Sequence, residues 1–177
     1  MDHRKHARVF LYTGEGEGKT TTALGVALRA VGHGKRVVII QFMKGRKNVG
    51  EYQIQKKLSP LYSVKQFGRP DFIYDVHHPL DIDRKLAKEG LKFAKESLKK
   101  KPFLLILDEI NLAVAFGILK ADEVIKMLRG APKETTFILT GRRAPKRLID
   151  AADLVTEMVK VKHPFDTGEM AVEGLEY

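Results

Sequence analysis

The stretch "TGEGEGKTTT", Thr13 to Thr22, sets Gly14, Gly16 and Gly18 ahead of Lys19 and Thr20. Glycines at this spacing let a backbone approach an anion closely and turn its N–H groups toward it. Lys19 adds a full positive charge, and the Thr20 hydroxyl suits a hard cation, Mg²⁺ first and Mn²⁺ as the alternative. The chemistry implied is the handling of a phosphate chain. Two features depart from the common form of such a loop. Glu15 and Glu17 bring negative charge into it, and Thr13 stands where G-x-x-x-x-G-K-[ST] has its first glycine. A loop that binds through N–H groups can turn its intervening side chains outward, which accommodates the glutamates. A dinucleotide pattern, G-x-G-x-x-G, is excluded because Lys19 occupies its third glycine position.

The second chemical stretch is "FLLILDE", in which Asp108 and Glu109 close an apolar run. Carboxylates at the end of a buried parallel strand lie on the edge where open α/β sheets take ligands, and they can hold Mg²⁺ directly or through water. The competing structural role is an acidic cap on the following helix.

These groups need elements to position them. "RVFLYT" reads as a strand entering the glycine loop, and "TTTALGVALRAVG" as a helix ending at Gly32 or Gly34. "RVVIIQF", "YSVKQF", "FLLILDE", "TTFILTG" and "DLVTEMVKV" read as further strands. "ADEVIKMLRG" and a short stretch around "APKRLIDAA" read as helices between them. In "DRKLAKEGLKFAKESLKKK", Ala87, Leu91, Ala94 and Leu98 share one helical face, while Lys85–Glu89, Lys92–Glu96 and Glu96–Lys100 are spaced for ion pairs. Strand–helix alternation of this kind predicts an α/β fold of the P-loop NTPase type, a mostly parallel sheet with helices on both faces. No repeat, linker or low-complexity tract divides the chain, so 1–177 is read as one domain.

Composition narrows the function. Of 177 residues, 44% are hydrophobic and 31% charged, and no apolar run is long enough for a membrane span. With no secretory segment at "MDHRKHARVF", a cytoplasmic protein with no membrane association is expected. The absence of cysteine excludes disulfides, thiolate metal sites and cysteine-held iron–sulfur clusters. The net charge of +10 allows either nucleic-acid binding or a solvated basic surface with a small anionic ligand. The patterned basic helix favours the second, leaving a P-loop ATPase acting on nucleic acid as the alternative.

Several longer stretches go beyond a phosphate loop. "TGEGEGKTTTALG" resembles T-G-x-G-x-G-K-T-T-A-A-x-G of the P-loop ATP:cob(I)alamin (corrinoid) adenosyltransferases. "RAVGHGKRVVIIQFMKG", "LLILDEI", "ILTGRRAPKRLIDAADLVTEM" and "VKHPFDTG" are similar to that family's later segments, in order. The resemblance implies that cob(I)alamin or a related corrinoid attacks the 5′-carbon of ATP and releases tripolyphosphate. It implies nucleotide contacts from Gly14, Glu15, Gly16, Glu17, Gly18, Lys19, Thr20, Thr21, Arg29 and Arg142. Metal contacts would come from Thr20, Asp108 and Glu109, with Lys19 stabilising the leaving chain. In "GRPDFIYD", Phe72 and Tyr74 match the family's F-x-W pair, implying aromatic wedges that displace the lower cobalt ligand. The family also implies an external flavoprotein-type reductase and a homodimer. Three departures stand out: few residues precede the first strand, Glu17 replaces a common lysine, and "GEMAVEGLEY" lacks the family's terminal lysine and glutamine. "DVHHPL" begins like the cobalamin-ligating D-x-H-x-x-G but has Leu80 at the glycine position, so His77 is not expected to bind cobalt. His78 and His163 are expected to be surface or hydrogen-bonding residues.

Overall fold

In the computed structural model, which describes residues 6–70 and 79–176, each of the six strand candidates forms a strand. They are β1 (Arg8–Thr13), β2 (Val37–Phe42), β3 (Tyr62–Phe67), β4 (Leu104–Asp108), β5 (Thr136–Thr140) and β6 (Leu154–Glu157). All pair in parallel, in the order β3-β2-β4-β5-β1-β6. The final strand is shorter than "DLVTEMVKV" suggested, because the chain turns after Glu157 to meet the glycine loop.

Parallel pairing requires crossovers, which the helices supply. Helix α1 (Lys19–Gly32) packs Ala23, Ala27 and Ala30 onto one face, over Ile39, Leu104, Ile106 and Ile138. Short turns α2 (Gly50–Gln53) and α3 (Gln55–Leu58) follow β2. The opposite face carries α4 (Asp81–Leu98), α5 (Ile110–Ala115), α6 (Ala121–Arg129) and α7 (Lys146–Ile149), packed on Leu11, Ile40, Leu105, Leu107, Phe137 and Leu139. The alternation along β4, Leu104 and Ile106 to one side and Leu105 and Leu107 to the other, is why this strand reads as continuously apolar. Each such buried aliphatic side chain contributes about 1.5–3 kcal/mol over leaving it exposed.

The basic helix buries Ala87, Leu91, Ala94 and Leu98, as its periodicity predicts. Its first turn is closed by Asp83, whose Oδ2 accepts from Leu80 N–H at 3.0 Å. Among the described ion pairs Glu96 joins Lys99, one turn of i,i+3, rather than the i,i+4 partners the sequence suggested.

The strand order has one consequence for the site. β5 lies between β1 and β4, so the glycine loop and the acidic strand end are two strand spacings apart, about 10 Å.

Candidate active site

The glycine loop joins β1 to α1 with Gly14 at φ 97° and Gly18 at φ 98°, left-handed conformations that disfavour any side chain. Its tightest neighbour is not open space but the chain after β6. Gly16 N–H donates to Met158 O at 2.7 Å, and Met158 N–H to Thr13 O at 2.8 Å. A methyl group added to Gly14 would lie 2.3 Å from Met158 O, and one on Gly16 would lie 2.7 Å from Val159 O. Gly14→Ala is therefore expected to cost about 2–4 kcal/mol, combining backbone strain with a clash against rigid main chain. Urea denaturation measures it, and a loss below about 1 kcal/mol would mean that the loop relaxes freely.

Thr13, the departure from the common pattern, has a role of its own. Its Oγ1 accepts from Ala144 N–H at 3.1 Å, tying the loop to the turn after β5. Asn111, fully buried, reinforces that tie by donating to Tyr12 O (3.1 Å) and Gly141 O (3.2 Å).

Lys19 is buried, and its Nζ donates to Gly16 O at 2.5 Å. Burial pushes its ammonium below the usual lysine range; Arg142 adds to that while Glu109, Glu15 and Glu17 oppose it. The lysine is thus folded back on its own loop. The two glutamates are held outward, as the backbone-binding argument requires: Glu15 Oε2 lies 3.6 Å from Arg142, and Glu17 Oε1 2.8 Å from His163 Nε2. His163 Nδ1 accepts from Phe165 N–H at 3.0 Å, leaving Nε2 to donate to Glu17. It acts as a hydrogen-bonding residue.

Across β5, Asp108 is 1% exposed and takes four hydrogen bonds. Oδ1 accepts from Thr20 (2.8 Å) and Thr140 (2.7 Å), and Oδ2 from Gln41 (3.1 Å) and Lys44 (2.7 Å). Burial pushes this carboxyl up, but Lys44 and the bonds from Lys44, Thr140 and Thr20 outweigh it and hold it below the usual range. Glu109 behaves oppositely, raised by burial and by the Asp108 charge. It sits at φ 63°, a strained conformation for a side chain with a Cβ, held by a bond from its N–H to Thr140 Oγ1 at 3.0 Å. Although it occupies the capping position of α5, it makes no side-chain cap, and its Oε2 is buried without a partner. The capping role considered from sequence is thus not the one its side chain performs.

Thr20 and Asp108 meet through a hydrogen bond, and Glu109, next to Asp108 and within reach of its charge, adds a further hard oxygen donor of the kind Mg²⁺ takes beside phosphate. Among the described residues no three His, Cys, Asp or Glu side chains cluster, so any cation would draw much of its shell from phosphate and water.

The fold brings Lys19, Thr20, Asp108, Glu109, Glu15, Glu17 and Arg142 to one sheet edge. Thr21 is exposed in the first turn of α1. Arg29 is not brought there. It lies in the last turn of α1, about 15 Å along the helix from Lys19, beside the strand beginnings. Phe72, Tyr74, His77 and His78 lie outside the described residues. Among the described residues, Arg69 Nε donates to buried Asp83 Oδ1 at 2.8 Å, and a cavity of about 260 Å³ is lined by Lys44, Arg46, Glu51, Gln66, Arg69 and others.

Sequence reasoning missed Lys44, Gln41, Thr140 and Asn111. Gln41 carried a signal, a lone amide within "VVIIQF", and it links Asp108 to Glu51 (2.9 Å) and to Gln66, whose Nε2 donates to Gln41 Oε1 at 3.0 Å.

The model of the family "ATP:corrinoid adenosyltransferase BtuR/CobO/CobP" matches residues 5–177. The chain belongs to the ATP:corrinoid adenosyltransferase family. It is 36% identical over 170 residues to the corrinoid adenosyltransferase of Escherichia coli K12, spanning 96% of this chain and 85% of that one. The Salmonella typhimurium corrinoid adenosyltransferase is 36% identical over 171 residues, again with 96% and 85% covered. Among solved structures, a KaiC-like protein of Pyrococcus horikoshii matches with a TM-score of 0.59 at 15% identity, covering 88% of this chain and 74% of that one, which shows the P-loop NTPase-like fold. Membership in this adenosyltransferase family disfavours the reading as an ATPase acting on nucleic acid. No described helix is long and apolar enough to cross a membrane.

Proposed function

We infer that the chain, as one catalytic domain over 1–177, transfers the 5′-deoxyadenosyl group of ATP to the cobalt of cob(I)alamin or a related corrinoid. The observation that carries this is the meeting of buried Lys19 with the Asp108–Glu109 strand end in a chain that matches the family over residues 5–177. The Co(I) centre of the corrinoid substrate supplies the electron pair for a new cobalt–carbon bond to C5′. The C5′–O bond breaks, tripolyphosphate leaves with its pair, and cobalt ends formally as Co(III). Negative charge grows on the departing oxygen, where Lys19 and the loop N–H groups other than that of Gly16, which is held by Met158 O, stabilise it.

Mg²⁺, or Mn²⁺ in its place, fits beside Thr20, Asp108 and Glu109. Both oxygens of Asp108 are already engaged, whereas Glu109 Oε2 is buried and unpartnered, which favours Glu109 as the direct ligand. Bound there, the cation supplies charge that offsets the anion gathering on the leaving chain. Asp108 then orients the Thr20 hydroxyl and Lys44.

Glu15 and Glu17, paired with Arg142 and His163, place two negative charges at the loop that oppose a polyphosphate. The double change Glu15→Gln and Glu17→Gln is expected to tighten tripolyphosphate binding roughly 3- to 10-fold, since exposed pairs of this kind are each worth under about 1 kcal/mol. Calorimetric titration with tripolyphosphate reads this, and unchanged affinity would mean that neither glutamate opposes the polyphosphate.

Phe72 and Tyr74 are assigned to displacing the lower cobalt ligand, which eases reduction of Co(II) to Co(I). An external flavoprotein-type reductase supplies that electron, as the chain holds no cysteine for a thiol or iron–sulfur group. Phe72→Ala or Tyr74→Ala is expected to slow turnover from cob(II)alamin by about tenfold or more while changing turnover from prereduced cob(I)alamin by less than about threefold. Equal slowing in both assays would remove the wedge role. Assembly as a homodimer is carried by the family resemblance, and sedimentation tests it.

The direct test incubates the protein with ATP, Mg²⁺ and chemically reduced cobalamin. A light-sensitive alkylated corrinoid and tripolyphosphate should appear together. Orthophosphate release with no alkylated corrinoid would overturn the assignment.

A further inference from the structure

On the edge of the sheet opposite the phosphate loop, the first residues of β1, β4 and β5 meet the end of α1 around a cavity of about 560 Å³. Its rim and floor include Arg8, Phe10, Arg29, His33, Lys35 and Phe103, and no described carboxylate lines it. We propose that this groove binds a free nucleoside monophosphate, a planar ring joined to a small anion, at a site separate from the phosphate loop.

Two observations define the ligand class. The first is charge: three permanently basic side chains and one histidine surround a space with no acidic lining group among the described residues. Such a wall favours an anion and repels cations. The second is the apolar floor. Phe103 is 43% exposed and Phe10 lines the same cavity from β1, with Lys35 5.8 Å from the Phe103 ring centre and Arg8 5.9 Å from that of Phe10. The exposed part of the Phe103 ring leaves surface on which a flat group can stack. The volume falls within the range of about 300–1,000 Å³ that small-molecule sites occupy.

Neighbouring chemistry excludes two other occupants. A second copy of this chain paired about a twofold axis here would bring the same basic groups face to face. A long polyphosphate would meet Val26, Phe10 and Leu104 rather than a cradle of N–H groups. The end of α1 presents carbonyls, but those of Ala30 and Val31 already accept from His33, Gly34 and Lys35. The phosphate would therefore be held by the guanidinium groups of Arg8 and Arg29, and the base by Phe103. This gives Arg29 a role at the place where the fold puts it.

The inference is independent of adenosyl transfer, and its test separates the two sites. AMP is titrated calorimetrically into the wild type and into Lys19→Ala, Arg29→Glu and Phe103→Ala, with melting curves confirming that each variant is folded. One AMP per chain is expected, with affinity changed less than about twofold in Lys19→Ala and weakened at least about tenfold in each groove variant. Adenosine and ribose 5-phosphate, each lacking half of the ligand, should bind at least about tenfold more weakly than AMP. Absence of saturable binding, loss of binding in Lys19→Ala, or indifference to both groove variants would overturn the proposal.

Discussion

Replacing Lys19 with alanine is expected to reduce kcat/KM for ATP by about 10²–10³-fold, the loss typical when a preorganised positive group is removed from a developing anion. The residue is 7% exposed and its Nζ sits against Gly16 O, so its charge is held at the loop before any ligand arrives. It costs little reorganisation when charge appears on the leaving tripolyphosphate. Because that charge is absent from the bridging oxygen of bound ATP and develops as the C5′–O bond breaks, most of the loss should fall on kcat. The measurement follows alkylated corrinoid at saturating, prereduced cobalamin. A rise in KM with kcat unchanged would show that Lys19 only anchors the ground-state nucleotide.

Asp108→Asn is expected to lower stability by about 2–4 kcal/mol, because a buried anion with four donors is replaced by a group with one acceptor oxygen. Thr20 and Thr140 converge on one side and Gln41 and Lys44 on the other, so the new amide keeps its oxygen for Gln41 and Lys44 only by turning its NH₂ to the two threonines, whose hydroxyls must then accept instead of donate. Lys44 loses its counter-charge at the same time. For a chain of this size the melting temperature should fall by about 5–15 °C. Activity should fall with it at temperatures where the variant is still folded, since the Thr20 hydroxyl loses its acceptor. A melting temperature within about 2 °C of the wild type would mean that these donors find water instead.

The fold was legible where one local signal sufficed. The interior strands β2 and β4 are short runs apolar on both faces, and Ala87, Leu91, Ala94 and Leu98 keep helical spacing through α4. Lys19, Asp108 and Glu109 were legible as chemistry because strand, loop and helix fix the edge they share. What escaped was set by contacts distant in sequence. The glycine pattern signals close approach but not to what, and the nearest approach of Gly14 and Gly16 is to Met158 and Val159. The left-handed backbone of Glu109, whose N–H is held by distant Thr140, leaves no mark in "LLILDE". Helices α2 and α3 span a single turn each, too short for any period to show. Arg29 is the opposite case, since the rise of α1, about 1.5 Å for each residue, is enough by itself to carry this side chain away from the loop.

The loop borrows its shape from the most weakly held part of the sheet. β6 pairs only with β1, all four of its residues are exposed, and the stretch just after it clasps Gly14 and Gly16. Fraying at this margin would release the clasp while the interior strands stay sealed. On warming, the enzyme should therefore lose its grip on nucleotide several degrees before its far-ultraviolet spectrum changes, so that inactivation runs ahead of melting.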